Sequence, residues 1–158
     1  MNRFEVANSF FFRLYQCTNM MHKTGTRAVQ EEGLTTQQWA VMGALSRPGA
    51  KGGMGVTELA RYLLVSRQNL SGVLKRMEAA GYLQIRAAVQ DRRSRIVKIT
   101  SHGRDLWTNQ IRRKIELYYD EVLEGLSGAE ITEALRFMQK LLENMKRIDQ
   151  PEELEEKA

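Results

Sequence analysis

Residues 56–83 read VTELARYLLVSRQNLSGVLKRMEAAGYL, and this stretch decides the fold. The pattern predicts a short helix capped by Thr57, a turn of two residues, and a second helix capped by Ser66. The second helix is expected to run over residues 67–80 and to stop at Gly81, which can take a left-handed conformation. Two short helices joined by a tight turn predict a helix-turn-helix unit.

The two faces of the second helix differ in chemistry. Apolar side chains at helical spacing predict its buried face: Leu70, Val73, Leu74 and Met77. The opposite face is small and polar, as expected of a helix that enters a major groove, and Gly72 lies on it. Glutamine and asparagine can read adenine edges, while lysine and arginine reach phosphates. The DNA-binding candidates here are Ser66, Arg67, Gln68, Asn69, Ser71, Lys75 and Arg76.

A basic hairpin is predicted after this unit. Residues 82–86 and 96–100 alternate between apolar and polar side chains, which indicates two paired strands. The connecting loop contains Asp91-Arg92-Arg93-Ser94-Arg95. An arginine at the tip of such a wing would enter a narrow minor groove, where the negative potential is strongest. Asp91 is expected to pair with a nearby arginine and to hold the shape of the wing. Arg92, Arg93 and Arg95 are therefore further DNA-binding candidates.

The charge distribution supports a polyanionic partner. Residues 57–104 contain ten Lys and Arg against three Asp and Glu, a balance of +7 in a chain whose net charge is +5. The flanking residues are therefore slightly acidic. A cationic centre between acidic ends indicates a polyanion as the partner of that centre, and the predicted recognition helix and wing indicate that this polyanion is double-stranded DNA.

Long amphipathic helices are predicted on both sides of the winged unit. The N-terminal helix extends from Phe4 to about Glu31 and is apolar on more than one face. After the wing, one helix is expected from Ser101 to Leu123, and a capping box, Ser127 to Glu130, opens another. Such helices expose too much apolar surface for one small domain, so a homodimer with intertwined ends is expected.

The expected fold class is therefore mainly α with a small β-wing: a winged helix-turn-helix domain plus intertwined N- and C-terminal dimerisation helices. The predicted division is residues 1–33 for the N-terminal dimerisation helix and 34–100 for the winged domain. Residues 101–150 form the C-terminal dimerisation helices, and 151–158 an acidic, frayed tail.

Other functional classes find little support in the sequence. There is no Ser/His/Asp set and no His-Glu-x-x-His spacing, so neither an enzyme nor a metal or cofactor site is expected. The glycine-rich residues 48–55 lack the Gly-Lys-Ser/Thr ending of a phosphate loop and are interpreted as a linker. No signal pattern or membrane-spanning stretch is present, which predicts a cytoplasmic protein.

The sequence resembles the multiple-antibiotic-resistance regulator (MarR) family over residues 10–148. The most specific segments are residues 34–42, 58–60, 66–78, 80–83 and 91–100. The resemblance implies a homodimer that places its two recognition helices in successive major grooves. It also implies that Arg93 is the minor-groove residue and that Asp91 is its structural partner. Gly72 departs from the larger residue that is frequent in the family, which puts base reading at this position in doubt.

The resemblance further implies a repressor that a small molecule releases from a pseudo-palindromic operator. The effector is expected to be an aromatic acid or its coenzyme A thioester, with Arg13 as the partner of the acid. The candidate ligand-binding residues are Arg13, Met20, Met21, His22, Trp39, Met42 and Trp107, although methionine and tryptophan at helical spacing are more often core. Cys17 is expected to be a buried structural thiol, with a redox-sensing regulator as the alternative. A winged-helix interaction module that binds no DNA is the alternative from another class.

Overall fold

The computed structural model describes residues 2–88 and 94–149. The chain divides into two compact units, Met1–Tyr118 and Tyr119–Ala158. The first unit contains the helices α1 (Arg3–Ala28), α2 (Thr36–Leu45), α3 (Val56–Leu63), α4 (Arg67–Ala79) and α5 (Ser101–Leu106). Helix α6 (Arg112–Val122) crosses the boundary, and α7 (Gly128–Asp149) lies in the second unit. The predicted domain division is a finer one and stays a prediction.

Local sequence signals position most of these helices as expected. Thr35 and Gln38 form the predicted capping box of α2, in which the Thr35 side chain accepts from the Gln38 amide and the Gln38 side chain accepts from the Thr35 amide. Ser127 and Glu130 make the same reciprocal bonds before α7. One predicted cap is wrong: Gly55, and not Thr57, is the N-cap of α3, because the Glu58 carboxylate bonds the Gly55 amide.

The sheet has three antiparallel strands, where sequence reasoning expected two. Strands β2 (Leu83–Ala87) and β3 (Arg95–Ile99) pair as predicted, with Ile85 opposite Val97. A two-residue strand, β1 (Met54–Gly55), pairs with the other edge of β3. The glycine-rich segment is therefore part of the fold, and the interpretation of residues 48–55 as a plain linker is wrong. Gly53 is required there, because a Cβ on it would lie 2.7 Å from the Val97 carbonyl oxygen.

The hydrophobic core lies in the first unit, between the helix-turn-helix, the sheet and the helices beside them. All four predicted inward residues of α4 are buried, and Met77 is fully so. The largest fully buried side chains are Leu34, Met42, Leu45, Leu59, Leu74, Met77, Leu83 and Ile111. The core therefore fixes α4 against the sheet, which is what positions the candidate interface.

The helix that follows the sheet contains a π turn, Trp107–Ile111, between α5 and α6. The buried Leu106 directly precedes the π turn and the buried Ile111 ends it, a step of five residues, whereas an α-helix repeats its buried positions every three or four. Within the described residues, no helix is both long enough and apolar enough to span a membrane.

Candidate nucleic-acid interface

The outer face of α4 carries the side chains best suited to contact DNA. Ser66 caps the helix by accepting a hydrogen bond from the Asn69 amide at 3.1 Å. The predicted contact residues of this helix are all exposed: Ser66, Arg67, Gln68, Asn69, Ser71, Lys75 and Arg76. Because Leu70, Val73 and Leu74 anchor the inner face, these side chains lie on a rigid support.

Ser71 has a defined hydrogen-bonding role on this face. Its hydroxyl donates to the Arg67 carbonyl at 2.7 Å. Because this hydrogen bond uses the only hydroxyl proton, Ser71 Oγ can take part in further hydrogen bonds only as an acceptor. Ser71 therefore suits a donor on a base edge, such as the exocyclic amino group of adenine or cytosine. The neighbouring Gly72 leaves space beside it, because a Cβ there would meet only Arg76 Nη1, at 3.7 Å.

A groove of about 720 Å³ lies between α4 and the strands of the wing. Its cationic lining residues are Arg67 and Lys75 on α4 and Arg95 at the start of β3. The acidic residue among its described lining, Glu78, accepts a hydrogen bond from the Ile85 amide at 2.8 Å. Because three cationic side chains face one carboxylate among the described lining, the groove keeps a cationic balance that attracts phosphates.

Thr100 and Gly103 connect the sheet to the end of the helix-turn-helix. The Thr100 hydroxyl bonds the Gly81 carbonyl at 2.7 Å and accepts from the Gly103 amide at 3.0 Å. A Cβ at Gly103 would lie 2.2 Å from the Tyr82 carbonyl oxygen, so only glycine fits at this close approach. These contacts fix the position of the wing strands relative to α4.

The tip of the wing lies outside the described residues, and with it Asp91, Arg92 and Arg93. Next to the tip, the ends of the two wing strands are joined by a hydrogen bond of 2.8 Å from the Ala88 amide to the Ser94 carbonyl. Arg95 is exposed and lies opposite Ala87 in the sheet. The predictions for Arg92, Arg93 and Asp91 therefore stay predictions.

Sequence reasoning missed three polar residues of the groove, which are Thr57, Glu78 and Ser94. Thr57 is exposed and does not cap α3, because the cap lies two residues earlier, at Gly55. Glu78 lies seven residues after Ser71, and this helical spacing was a usable signal for it. Ser94 belongs to the wing, and its place beside α4 follows from the tertiary fold alone.

The predicted ligand-binding residues do not form one cluster. His22 Nδ1 lies 2.8 Å from Thr36 Oγ1, and Trp39 packs edge to face on Tyr118 with ring centroids 5.8 Å apart. Arg13 bonds Gln16 and lies twelve residues before Gly25, the glycine that contacts Trp39. At 1.5 Å per residue this is about 18 Å along α1, too far for one small aromatic acid to bridge within the chain.

The other candidates also occupy separate environments. Met42 is fully buried and therefore belongs to the core, whereas Met20 and Met21 are exposed. Trp107 packs against Gly43, where a Cβ would lie 3.2 Å from its ring. The expectation that Cys17 is buried is wrong: the thiol is exposed, because α1 buries only Gly25 within this chain.

Three residues that sequence reasoning did not select complete a polar and aromatic cluster between α1, α2 and α6. They are Thr36, which bonds His22, together with Thr24 and Tyr118, whose hydroxyl groups lie 2.9 Å apart. Lys114 stabilises this junction by pairing with Glu31 at 2.5 Å and with Glu32 at 2.6 Å. The hydrogen bond from Lys114 lowers the pKa of Glu31, and the bonds to Glu31 and Glu32 raise the pKa of Lys114. Among the described residues no group of three or more His, Cys, Asp or Glu could hold a metal ion.

Comparison with known proteins identifies relatives that regulate transcription. A profile of the MarR family matches residues 32–94. The chain is 56% identical over 147 residues to the transcriptional activatory protein BadR of Rhodopseudomonas palustris, which is 93% of this chain and 84% of that protein. It is 29% identical over 94 residues to the homoprotocatechuate degradative operon repressor of Escherichia coli, 60% of this chain and 61% of that one. The structure of reduced AbfR bound to DNA superposes with a TM-score of 0.77 at 19% identity, covering 92% of this chain and 96% of that chain.

Proposed function

The chain belongs to the MarR family of transcriptional regulators, and we propose that it binds a pseudo-palindromic operator as a homodimer whose DNA affinity a small aromatic acid or its thioester controls. The observation that carries this proposal is the exposed Gln68, Ser71 and Lys75 face of α4, opposite Arg95 across a cationic groove. In this proposal Gln68, Asn69 and Ser71 contact base edges, and the basic residues contact phosphates. Arg93 enters the minor groove, and Asp91 orients it.

The proposed homodimer explains the apolar surface of the terminal helices. On α1, Phe4 is 77% exposed and Tyr15 is 65% exposed, and on α7 Ile148 is 78% exposed. Exposed aromatic and aliphatic side chains on one face of a helix commonly mark a contact with another chain, and symmetric pairing is the common way to cover them. A dimer also supplies the second α4 that a two-fold operator needs, about 34 Å from the first.

The direction of regulation is proposed from the relatives. The resemblance to the family implied a repressor, and the E. coli relative at 29% identity bears that name. The relative that is 56% identical over 93% of this chain is named a transcriptional activatory protein. Because that likeness is stronger and covers the recognition helix, the wing and both terminal regions, we propose that the bound protein activates transcription.

The proposed effector site is the cluster of His22, Thr24, Thr36, Trp39 and Tyr118. It combines aromatic surface with hydroxyl and imidazole groups, which suits a ring bearing a carboxylate. The relative named for homoprotocatechuate degradation connects an aromatic acid with this family. Arg13 lies too far along α1 to join this site within one chain, so the proposal places the acid near His22.

Operator binding is tested by fluorescence anisotropy on the DNA upstream of the gene for this protein. Gln68→Ala and Arg93→Ala should each weaken operator binding by about 1–3 kcal/mol, while Lys75→Ala should lower the salt slope by about one. Lys140→Ala on α7 is the matched control, since this exposed lysine lies outside the proposed interface. Equal loss in all four variants, or none, would remove α4 and the wing from the proposed interface.

The effector is tested by calorimetry with homoprotocatechuate and phenylacetate, each as free acid and as thioester. An effector that lowers operator affinity 100-fold needs a coupling of about 2.7 kcal/mol, and linkage requires saturating operator to weaken effector binding by the same factor. Trp39→Ala and Tyr118→Phe should weaken binding, whereas Arg13→Ala should not. Unchanged affinity in both of the first two variants would mean that the site lies elsewhere.

A redox sensor remains the second candidate, since Cys17 is exposed rather than buried. If Cys17 senses oxidants, peroxide should release operator DNA from the wild type and leave Cys17→Ser bound. The effector proposal predicts equal operator affinity of both proteins before and after peroxide.

A further inference from the structure

The two helices of the helix-turn-helix end in the same backbone motif but with different residues. After α4, the Gly81 amide bonds the Glu78 carbonyl and the Tyr82 amide bonds the Met77 carbonyl, with Gly81 at φ 78°. After α3, Leu64 and Val65 make the equivalent bonds to Arg61 and Ala60, at 3.3 and 3.1 Å. Both ends are Schellman motifs, which require a left-handed residue.

Leucine is an unfavourable residue for this conformation. Leu64 has φ 55° and ψ 43°, and it is the only non-glycine residue with positive φ in the part of the chain that the structure describes. A bulky side chain in the left-handed region is strained, whereas glycine is not. The Leu64 side chain is 53% exposed, so its burial in the core does not offset this strain. Strain of this kind at an exposed position indicates a function for the side chain.

Leu64 is part of a larger exposed patch. Tyr62 is 50% exposed and Val65 is 38% exposed, so three of four consecutive residues present apolar surface. The guanidinium of Arg47 lies 4.4 Å from the centre of the Tyr62 ring, and Arg61 is exposed on the same helix. We call these five residues the turn patch: Arg47, Arg61, Tyr62, Leu64 and Val65. It combines apolar and cationic side chains.

We propose that the turn patch is the surface through which the DNA-bound protein contacts RNA polymerase. The partner surface would offer an apolar recess for Leu64 and Tyr62 and a carboxylate for Arg47. This inference rests on the proposed function, because a protein that activates transcription from its operator needs a contact besides DNA.

Two observations favour this occupant. The patch is continuous with the DNA-reading face, since Val65 directly precedes Ser66, the cap of α4. A polymerase bound beside the operator would therefore meet it at the edge of the duplex. The chemistry is also better matched to protein than to DNA, because the apolar groups of a major groove are limited to thymine methyls. Aromatic and arginine side chains are the residues that most often dominate protein contacts.

The test compares DNA binding with activation for paired variants. Leu64→Gly removes the side chain and is favoured in the left-handed backbone, so folding is not at risk. Leu64→Met keeps an apolar side chain in the same conformation, and Tyr62→Ala and Tyr62→Phe form a second pair. Each full-length protein is assayed by anisotropy on the operator that the wild type footprints, by in vitro transcription with purified RNA polymerase, and by light scattering.

We expect the operator affinity of Leu64→Gly and of Tyr62→Ala to stay within about twofold of the wild-type value. Their activation of transcription should fall about tenfold, which is the effect of losing one interface hot spot. Leu64→Met and Tyr62→Phe should retain the activation of the wild type. A parallel loss of operator affinity would show a DNA contact instead, and a changed mass would show a contact between copies. Either result overturns the inference, as does full activation by Leu64→Gly. A wild-type protein that does not bind or activate would overturn the proposed function itself.

Discussion

The winged region and the terminal helices carry similar amphipathic patterns but use them differently. The winged region, residues 34–100, buries a core in which Leu59, Met77 and Val97 have no exposed surface. Helix α7 has 22 residues and an apolar stripe, yet no residue of it is buried, and the 26 residues of α1 bury only Gly25. Periodicity therefore identifies which face of a helix is apolar. Whether the same chain or another copy covers that face is a separate question.

The largest effect is expected from removing the N-terminal part of α1. Deletion of residues 1–20 leaves Gly25 and Val29 in place but removes the exposed aromatic side chains of α1. If these cover apolar surface on a second copy, the shortened chain should aggregate or lose its dimer, which size-exclusion chromatography with light scattering measures. A soluble monomer that still binds operator DNA would show that the apolar side chains of α1 are not covered by a second copy.

A core substitution in the winged region should have the next largest effect. Leu59→Ala should lower the free energy of unfolding by about 2–5 kcal/mol, because it empties a fully enclosed site. Denaturant titration checks this value. A loss below about 1 kcal/mol would mean that the core relaxes around the cavity.

The matching substitution on α7 tests whether a second copy of the chain covers the apolar stripe of this helix. Leu135 is 57% exposed within the chain, so Leu135→Ala should cost under about 0.5 kcal/mol if that surface stays in water. In a dimer that covers it, the cost should rise to about 1–3 kcal/mol, and the melting temperature should depend on protein concentration. We expect the second result. A small, concentration-independent effect would contradict the dimer.

The smallest effect is expected on the recognition helix. Gly72→Ala should stabilise the fold by about 0.5–1 kcal/mol, because alanine is the better helix former and the site has room for a methyl group. Thermal unfolding measures the change. Destabilisation would indicate that the backbone at Gly72 is more constrained than its surroundings suggest.

Sequence reasoning succeeded where the information is local. The caps at Thr35, Ser66 and Ser127, the stop at Gly81 and the buried face of α4 all depend on residues within one or two turns. These features follow from spacing and residue type.

It failed where the partner is distant in the chain. Strand β1 consists of two residues and exists because β3 pairs with it, which no pattern within Met54–Gly55 reveals. The bond between Thr24 and Tyr118 joins residues 94 positions apart. Arg13 and Trp39 were grouped by chemistry, and the length of α1 separates them. The left-handed Leu64 was missed because leucine carries no signal for that conformation.

The π turn at Trp107–Ile111 lets the following helix keep its phase after the loss of one residue but not after the gain of one. One residue corresponds to about 100° of rotation in an α-helix. Because the π turn holds one residue more than an α-helical turn, deleting Thr108 would allow an uninterrupted α-helix in which the later side chains keep their present phase relative to α5. Inserting one residue there would instead turn every side chain after Ile111 by that angle, so that Lys114 would leave Glu31 and Glu32, and Tyr118 would leave Thr24 and Trp39. A single insertion would thus uncouple the proposed effector cluster from the winged region, whereas a single deletion in the π turn would not.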